Sequence, residues 1–92
     1  MKTTVDDAKL KEIIGLLEKY QECVDPNSKR DYSERMAERE KIKAELKAIG
    51  AELDQEGSML LMQGVAAQVK KKNSLLASYL DSAWNGVGYW MG

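Results

Sequence analysis

Apolar residues in the first quarter of the chain recur on a helical period. Leu10, Ile13, Ile14, Leu17 and Val24 follow the i, i+3, i+4, i+7 spacing that gathers side chains on one helix face, and Leu16 and Tyr20 widen that face. The pattern predicts a helix from about Val5 to Cys23. Thr3 and Thr4 each stand three residues before an acid, Asp6 or Asp7, an arrangement like a capping box with Asp in place of Glu. The same two acids would complement the dipole of the first turn. Gly15 lies inside this helix at a cost of about 1 kcal/mol relative to Ala. Asp25-Pro26-Asn27-Ser28 ends it, because Pro disfavours the helical region for the residue before it. Asn27 or Ser28 is expected to cap the next helix.

A long second helix is predicted from about Lys29 to Gln55. Ile42, Leu46, Ile49 and Leu53 are spaced 4, 3, 4, which is a heptad seam. Traced backwards, the seam passes through Arg39, Arg35 and Tyr32 and is polar there, with Met36 beside it. Opposite charges at i, i+4, as in Asp31 with Arg35 and Lys41 with Glu45, add tenths of a kcal/mol each. Gly50 weakens the helix locally. Gly57 reads as a C-cap and Ser58 as the cap of a third helix.

Beyond Ser58 the pattern changes. Lys70, Lys71, Lys72 and Asp81 are the only charged residues there, and a segment apolar around most of its circumference must be covered by something. Met62, Val65, Val69 and Ala66 form the main stripe of the third helix, widened by Met59, Leu60 and Leu61. Lys70 to Ser74 reads as a joint: lysines suit a helix C-terminus, Asn tolerates the left-handed conformation, and Ser74 can cap a fourth helix. That helix runs from Leu75 to Trp84 with Leu76, Tyr79, Leu80 and Ala83 on one face. One kinked helix over 59–84 is the competing reading. Asn85-Gly86 stops the helix, and the glycine-punctuated tail that follows is apolar. Its geometry should return Tyr89 and Trp90 to the bundle, with Trp84 and Trp90 both mostly buried, Trp90 against the first helix or a partner chain.

Composition narrows the chemistry. Ninety-two residues suit a single domain, 1–92, with a thin stability margin. The net charge of −1 is not that of a polycation built for nucleic acid. Absence of His excludes a Ser-His-Asp triad and any histidine metal site. Cys23 is the single cysteine, so no intrachain disulfide forms, and a lone thiol fits a reducing, cytoplasmic setting. Lys19, at i−4, could lower its pKa, against the commoner reading of a small apolar residue at a helix end. The longest uncharged run, Gly57 to Val69, falls short of the roughly 20 residues that span a bilayer. Neither a cofactor nor a metal is implied.

The candidate sites are few. Glu52, Asp54 and Glu56 alternate at i, i+2 and so point to different sides of a helix. Arg35 and Arg39 fall on the seam, where an all-helical enzyme would need inward-facing guanidinium groups to clamp a carboxylate substrate. Lys70, Lys71 and Lys72 could contact phosphates, although three contacts give weak, salt-sensitive binding. Tyr79, Trp84, Tyr89 and Trp90 are either the lid of the bundle or a partner-binding patch.

The expected fold is therefore all-α: a small antiparallel three- or four-helix bundle with a long, heptad-like second helix and an aromatic C-terminal tail. The expected function is a non-enzymatic protein–protein interaction module. It would associate as a homodimer or with another protein through Ile42, Leu46, Ile49, Leu53, Met59, Met62, Trp84, Tyr89 and Trp90. A nucleic-acid-associated regulator using Lys70 to Lys72 is the second class, and a small helical enzyme the third.

Overall fold

Asp6 starts the first helix. Its backbone is extended and its carboxylate accepts the Lys9 N–H at 2.9 Å, while Asp7 supplies the acid of the first turn. In the computed structural model, which describes residues 5–88 and Trp90, α1 spans Asp7–Val24, α2 Tyr32–Lys72 and α3 Ser74–Trp84. No strand occurs among those residues. The expected capping role of Thr3 and Thr4 lies outside the described residues. The start of α2 corrects the sequence reading. Asp31, without a side-chain cap bond, is its N-cap. Asn27 instead donates its backbone N–H to Asp25 Oδ1 in an Asx turn, and Ser28 Oγ accepts the Arg30 N–H.

The larger correction is at Gly57. No helix ends there: α2 is helical for 41 residues, through Gly57-Ser58 to Lys72. A straight helix of that length would measure about 60 Å. The whole molecule measures 44 × 23 × 22 Å, and no direction through such a body reaches that far. The helix must bend. The Trp84 indole N–H, which donates to the Leu46 carbonyl at 2.8 Å, requires the same. Since α3 follows α2 after Asn73 alone, a straight α2 would put Trp84 level with about Leu61, some 22 Å from Leu46. Helices without proline kink at Gly/Ser steps, and Gly57-Ser58 is the Gly–Ser step of α2. We place the bend at that step, which divides α2 into a first limb, residues 32–56, and a second limb, residues 59–72.

The buried positions show why two limbs are needed. Ile42, Leu46, Ile49 and Leu53 share one side of the first limb; Leu61, Met62, Val65 and Val69 are buried on the second. At ~100° per residue, the second set sits roughly 150° around the helix axis from the first. One straight helix could not press both against a single core. Bent, it contributes both to one cluster with Leu10, Ile13, Leu17, Tyr20 and Cys23 of α1 and with Leu76, Ala77, Leu80, Ala83 and Trp84 of α3. The fold is the expected antiparallel helical bundle, its long second helix serving as two.

Asn73 makes the remaining joint in one residue. Its N–H donates to the Val69 carbonyl, closing α2, and its Oδ1 accepts the N–H groups of Leu75 and Leu76, opening α3. Its backbone is extended, not left-handed, and Asn73 rather than Ser74 is the cap. The break between Lys72 and Ser74 decides against a continuous helix over 59–84.

Candidate functional site

Trp84 is the largest fully buried side chain, and it lies in a notch that Gly50 provides. A Cβ on Gly50 would stand 2.7 Å from Trp84 Nε1 and 2.8 Å from Cδ1, closer than atoms pack. Without it, the indole reaches the Leu46 carbonyl, one turn earlier on α2. The tail then returns along the same limb. Gly86 and Gly88 both have positive φ, 92° and 57°, the region only glycine enters freely. The Val87 N–H donates to the Trp84 carbonyl, the Trp90 N–H to that of Val87 and the Gly86 N–H to that of Trp90. Gly88 is pressed so closely on the Asp54 carboxylate that a side chain would collide with it. Trp90 meets Trp84 edge-on, with ring centres 5.3 Å apart. The fold-back of the tail is as expected. Trp90 is, as expected, largely buried and packs against the core beside Trp84, its indole N–H buried without a protein partner among the described residues. Tyr89 lies outside the described residues.

A polar corner closes the opposite end. The last turn of α1 has no basic residue, and Arg35 of α2 supplies one, its Nη1 donating to the Cys23 and Asp25 carbonyls at 3.0 Å each. Arg30 bridges Glu22 and Glu38, and the hydrogen bond it donates to the Glu38 carboxylate raises its pKa. Arg39 pairs with Glu40. Arg35 is thus engaged in capping α1, and the Nε atoms of Arg35 and Arg39 are both buried without a hydrogen-bond partner among the described residues. Cys23 is fully buried; desolvation, then the charges of Glu38 and Glu22, raise its thiol pKa above the ordinary 9.0. Burial outweighs the lowering influence of nearby Arg30, and the expected activation by Lys19 plays no part. Between α1 and the first limb runs a groove of about 360 Å³ lined by Leu16, Lys19, Glu38, Lys41, Ile42 and Glu45. Its two cations and two anions balance.

The other sequence candidates separate. Ile42, Leu46, Ile49, Leu53 and Met62 lie at 0–7% exposure within the chain's own core, so the seam offered for a homodimer is filled from inside. The total accessible surface, 5767 Å², agrees with the roughly 5,400 Å² of a folded monomer of 10.3 kDa. The second limb therefore does not need the second covering chain that its apolar content suggested. Met59 is half-buried. Glu52 is exposed, Asp54 faces Gly88, and Glu56 lines a small recess with Val5, Asp6, Lys9 and Leu53, so the three acids diverge. Lys70, Lys71 and Lys72 are all exposed on the last turn of α2. No group of His, Cys, Asp and Glu suited to a metal occurs among the described residues.

One surface escaped the sequence reading. Leu60, Gly64, Ala67 and Lys71, spaced 4, 3, 4, lie along the outer side of the second limb. Leu60 is 57% exposed, Gly64 half-buried and Ala67 exposed, flanked by exposed Gln63 and Gln68. The missing signal was the uncharged run itself: only half of a helix can face the core, so the other half of Gly57 to Val69 had to face outward without charge.

No protein-family model, curated protein or solved structure matches this chain. No helix among the described residues is long and apolar enough to cross a membrane.

Proposed function

We propose that the protein is a non-enzymatic helical interaction module that binds another protein on the outer side of the second limb of α2. The observation that carries this reading is the uncharged face on which Leu60, Gln63, Ala67 and Gln68 are exposed and Gly64 half-buried, in a chain that is 32% charged. A helix face meant only for water usually carries charge, and a chain this rich in Lys and Glu had ample means to place it there. Gly64 and Ala67 let a second helix approach closely, and Leu60 supplies a ridge to pack against. The chemistry suits an amphipathic helix that lays its apolar side on this face and turns acidic residues toward Lys70 and Lys71.

The test is a pair of charge substitutions, Leu60→Glu and Ala67→Glu. Both sites are exposed, so melting should change by no more than about 0.5 kcal/mol. Partners recovered by the parent chain from its native cell should be lost with both variants. Recovery of the same partners by parent and variants would contradict this face. A second reading, weak phosphate contact through Lys70, Lys71 and Lys72, draws support from their exposure and would show as retention on nucleic acid that falls steeply with salt.

A further inference from the structure

The bend in α2 has a second use. Gly57-Ser58 joins two limbs that are each helical, so straightening α2 there removes no turn of either limb. All the packing that holds the bend closed lies between one part of the chain, α1 with the first limb, and the other, the second limb with α3 and the tail. Trp84 on Leu46 and Gly50, Gly88 on Asp54 and Tyr79 on Tyr20, ring centres 5.0 Å apart, all cross that boundary. From these facts we propose that the chain exchanges its C-terminal part with a second copy of itself, by straightening α2 at Gly57-Ser58 into a single helix.

The occupant follows from shape. Opening exposes the Gly50 notch and the Leu46 carbonyl on one part, and Trp84 with Leu61, Met62, Val65 and Val69 on the other. The body fitted to each is the complementary part of the same sequence, so the partner is a second copy, and the pairing is two-fold and reciprocal. The roughly 150° offset between the two buried faces matters here. On a straight α2 they point to nearly opposite sides, so an open chain cannot cover both itself and presents one to each part of its partner. Gly57 sets the balance. Glycine is a poor residue for a straight helix and tolerates a bend, so the closed monomer is favoured at low concentration. This exchange is independent of the outer face of the second limb: a pair docked through that face would keep both chains closed.

The experiment is an intrachain distance. Spin labels are placed at two exposed positions, Glu40→Cys and Gln68→Cys, one on each limb; fully buried Cys23 does not compete for label. Labelled chain is diluted into excess unlabelled chain, unfolded, refolded at millimolar concentration, and separated by size. In the monomer the two labels should lie within about 30 Å, on helices packed side by side. In the dimer the same pair should lie about 42 Å apart, the span of 28 helical residues. Recovery of monomer alone, or of a dimer that keeps the short distance, would overturn the exchange. Two variants sharpen it. Gly57→Ala should raise the association constant roughly 10- to 30-fold, since both chains gain a better helix former at the joint. Gly57→Pro, which cannot lie in a straight helix, should abolish the dimer. A Gly57→Ala chain that dimerises no more than the parent would place the hinge elsewhere and overturn the assignment.

Discussion

The two ends of the first limb of α2 are held by different physics. At its N-terminal end the ties are polar and mostly exposed: Arg35 on the last carbonyls of α1, and Arg30 between Glu22 and Glu38. Toward its C-terminal end the ties are apolar and closed: Trp84 in the Gly50 notch, its one polar atom satisfied by the Leu46 carbonyl, and Trp90 edge-on against it. Exposed ion pairs are worth little because water competes for both partners. A buried Trp removes a large area from water and leaves a hole when lost. The polar corner therefore aligns α1 on α2, while the Trp84 notch supplies stability and keeps α2 bent.

Trp84→Ala should break that comparison most severely. It empties the largest fully buried side chain, orphans the tail and should cost about 3–5 kcal/mol, read as a fall in the urea midpoint. A loss below 1 kcal/mol would mean that the bend is held elsewhere. Gly50→Ala comes next and tests the notch from its other wall. A better helix former gains about 1 kcal/mol at an open site. Here the new methyl collides with the indole, and overpacking costs about 1–3 kcal/mol on top of a strained hydrogen bond. The net should be destabilising, and a more stable variant would contradict the close approach. Arg35→Ala removes two hydrogen bonds to carbonyls at a helix end and should cost about 1–2 kcal/mol, with fraying of α1 beyond Tyr20 visible in amide exchange. Unchanged exchange there would remove the capping role. The smallest effect is expected from replacing Lys70, Lys71 and Lys72 together by Gln. All three are exposed, and stability should move by no more than about 0.5 kcal/mol.

The contrast also marks where the sequence could be read. Local signals carried: Leu10, Ile13 and Leu17 announced the buried face of α1, Pro26 its end, and the Lys70 to Ser74 stretch the joint at Asn73. Gly57-Ser58 misled because the pair means two things. Gly ends helices and Ser starts them, yet the same pair is also where a continuous helix kinks. Choosing between them depends on whether the backbone groups around it stay paired within the helix, which neighbouring residues do not reveal. The seam from Ile42 to Leu53 told that these residues are buried but not by what, since a 4-3-4 spacing fits the chain's own helices as well as a partner's. The Gly50 notch was invisible for a third reason. Its meaning comes from Trp84, 34 positions away, and in isolation Gly50 registers only as a weak helix residue. The outer face of the second limb was legible in principle, because an uncharged run longer than three turns cannot hide all its sides.

The bent α2 and the filled notch meet in one observable, a proton–proton cross-relaxation peak between the Trp84 indole and the Gly50 α-protons in the dilute monomer. With α2 folded back, a Gly50 side chain would lie within 3 Å of the indole, so a strong cross-peak is expected. The Trp84 indole N–H, bonded to the Leu46 carbonyl inside the core, should also exchange with solvent orders of magnitude more slowly than a free indole. On a straight α2 the two groups would lie about 16 Å apart, beyond the reach of such transfer. Absence of the peak in a folded monomer, or a Trp84 indole that exchanges as fast as a free one, would contradict the bend and everything built on it.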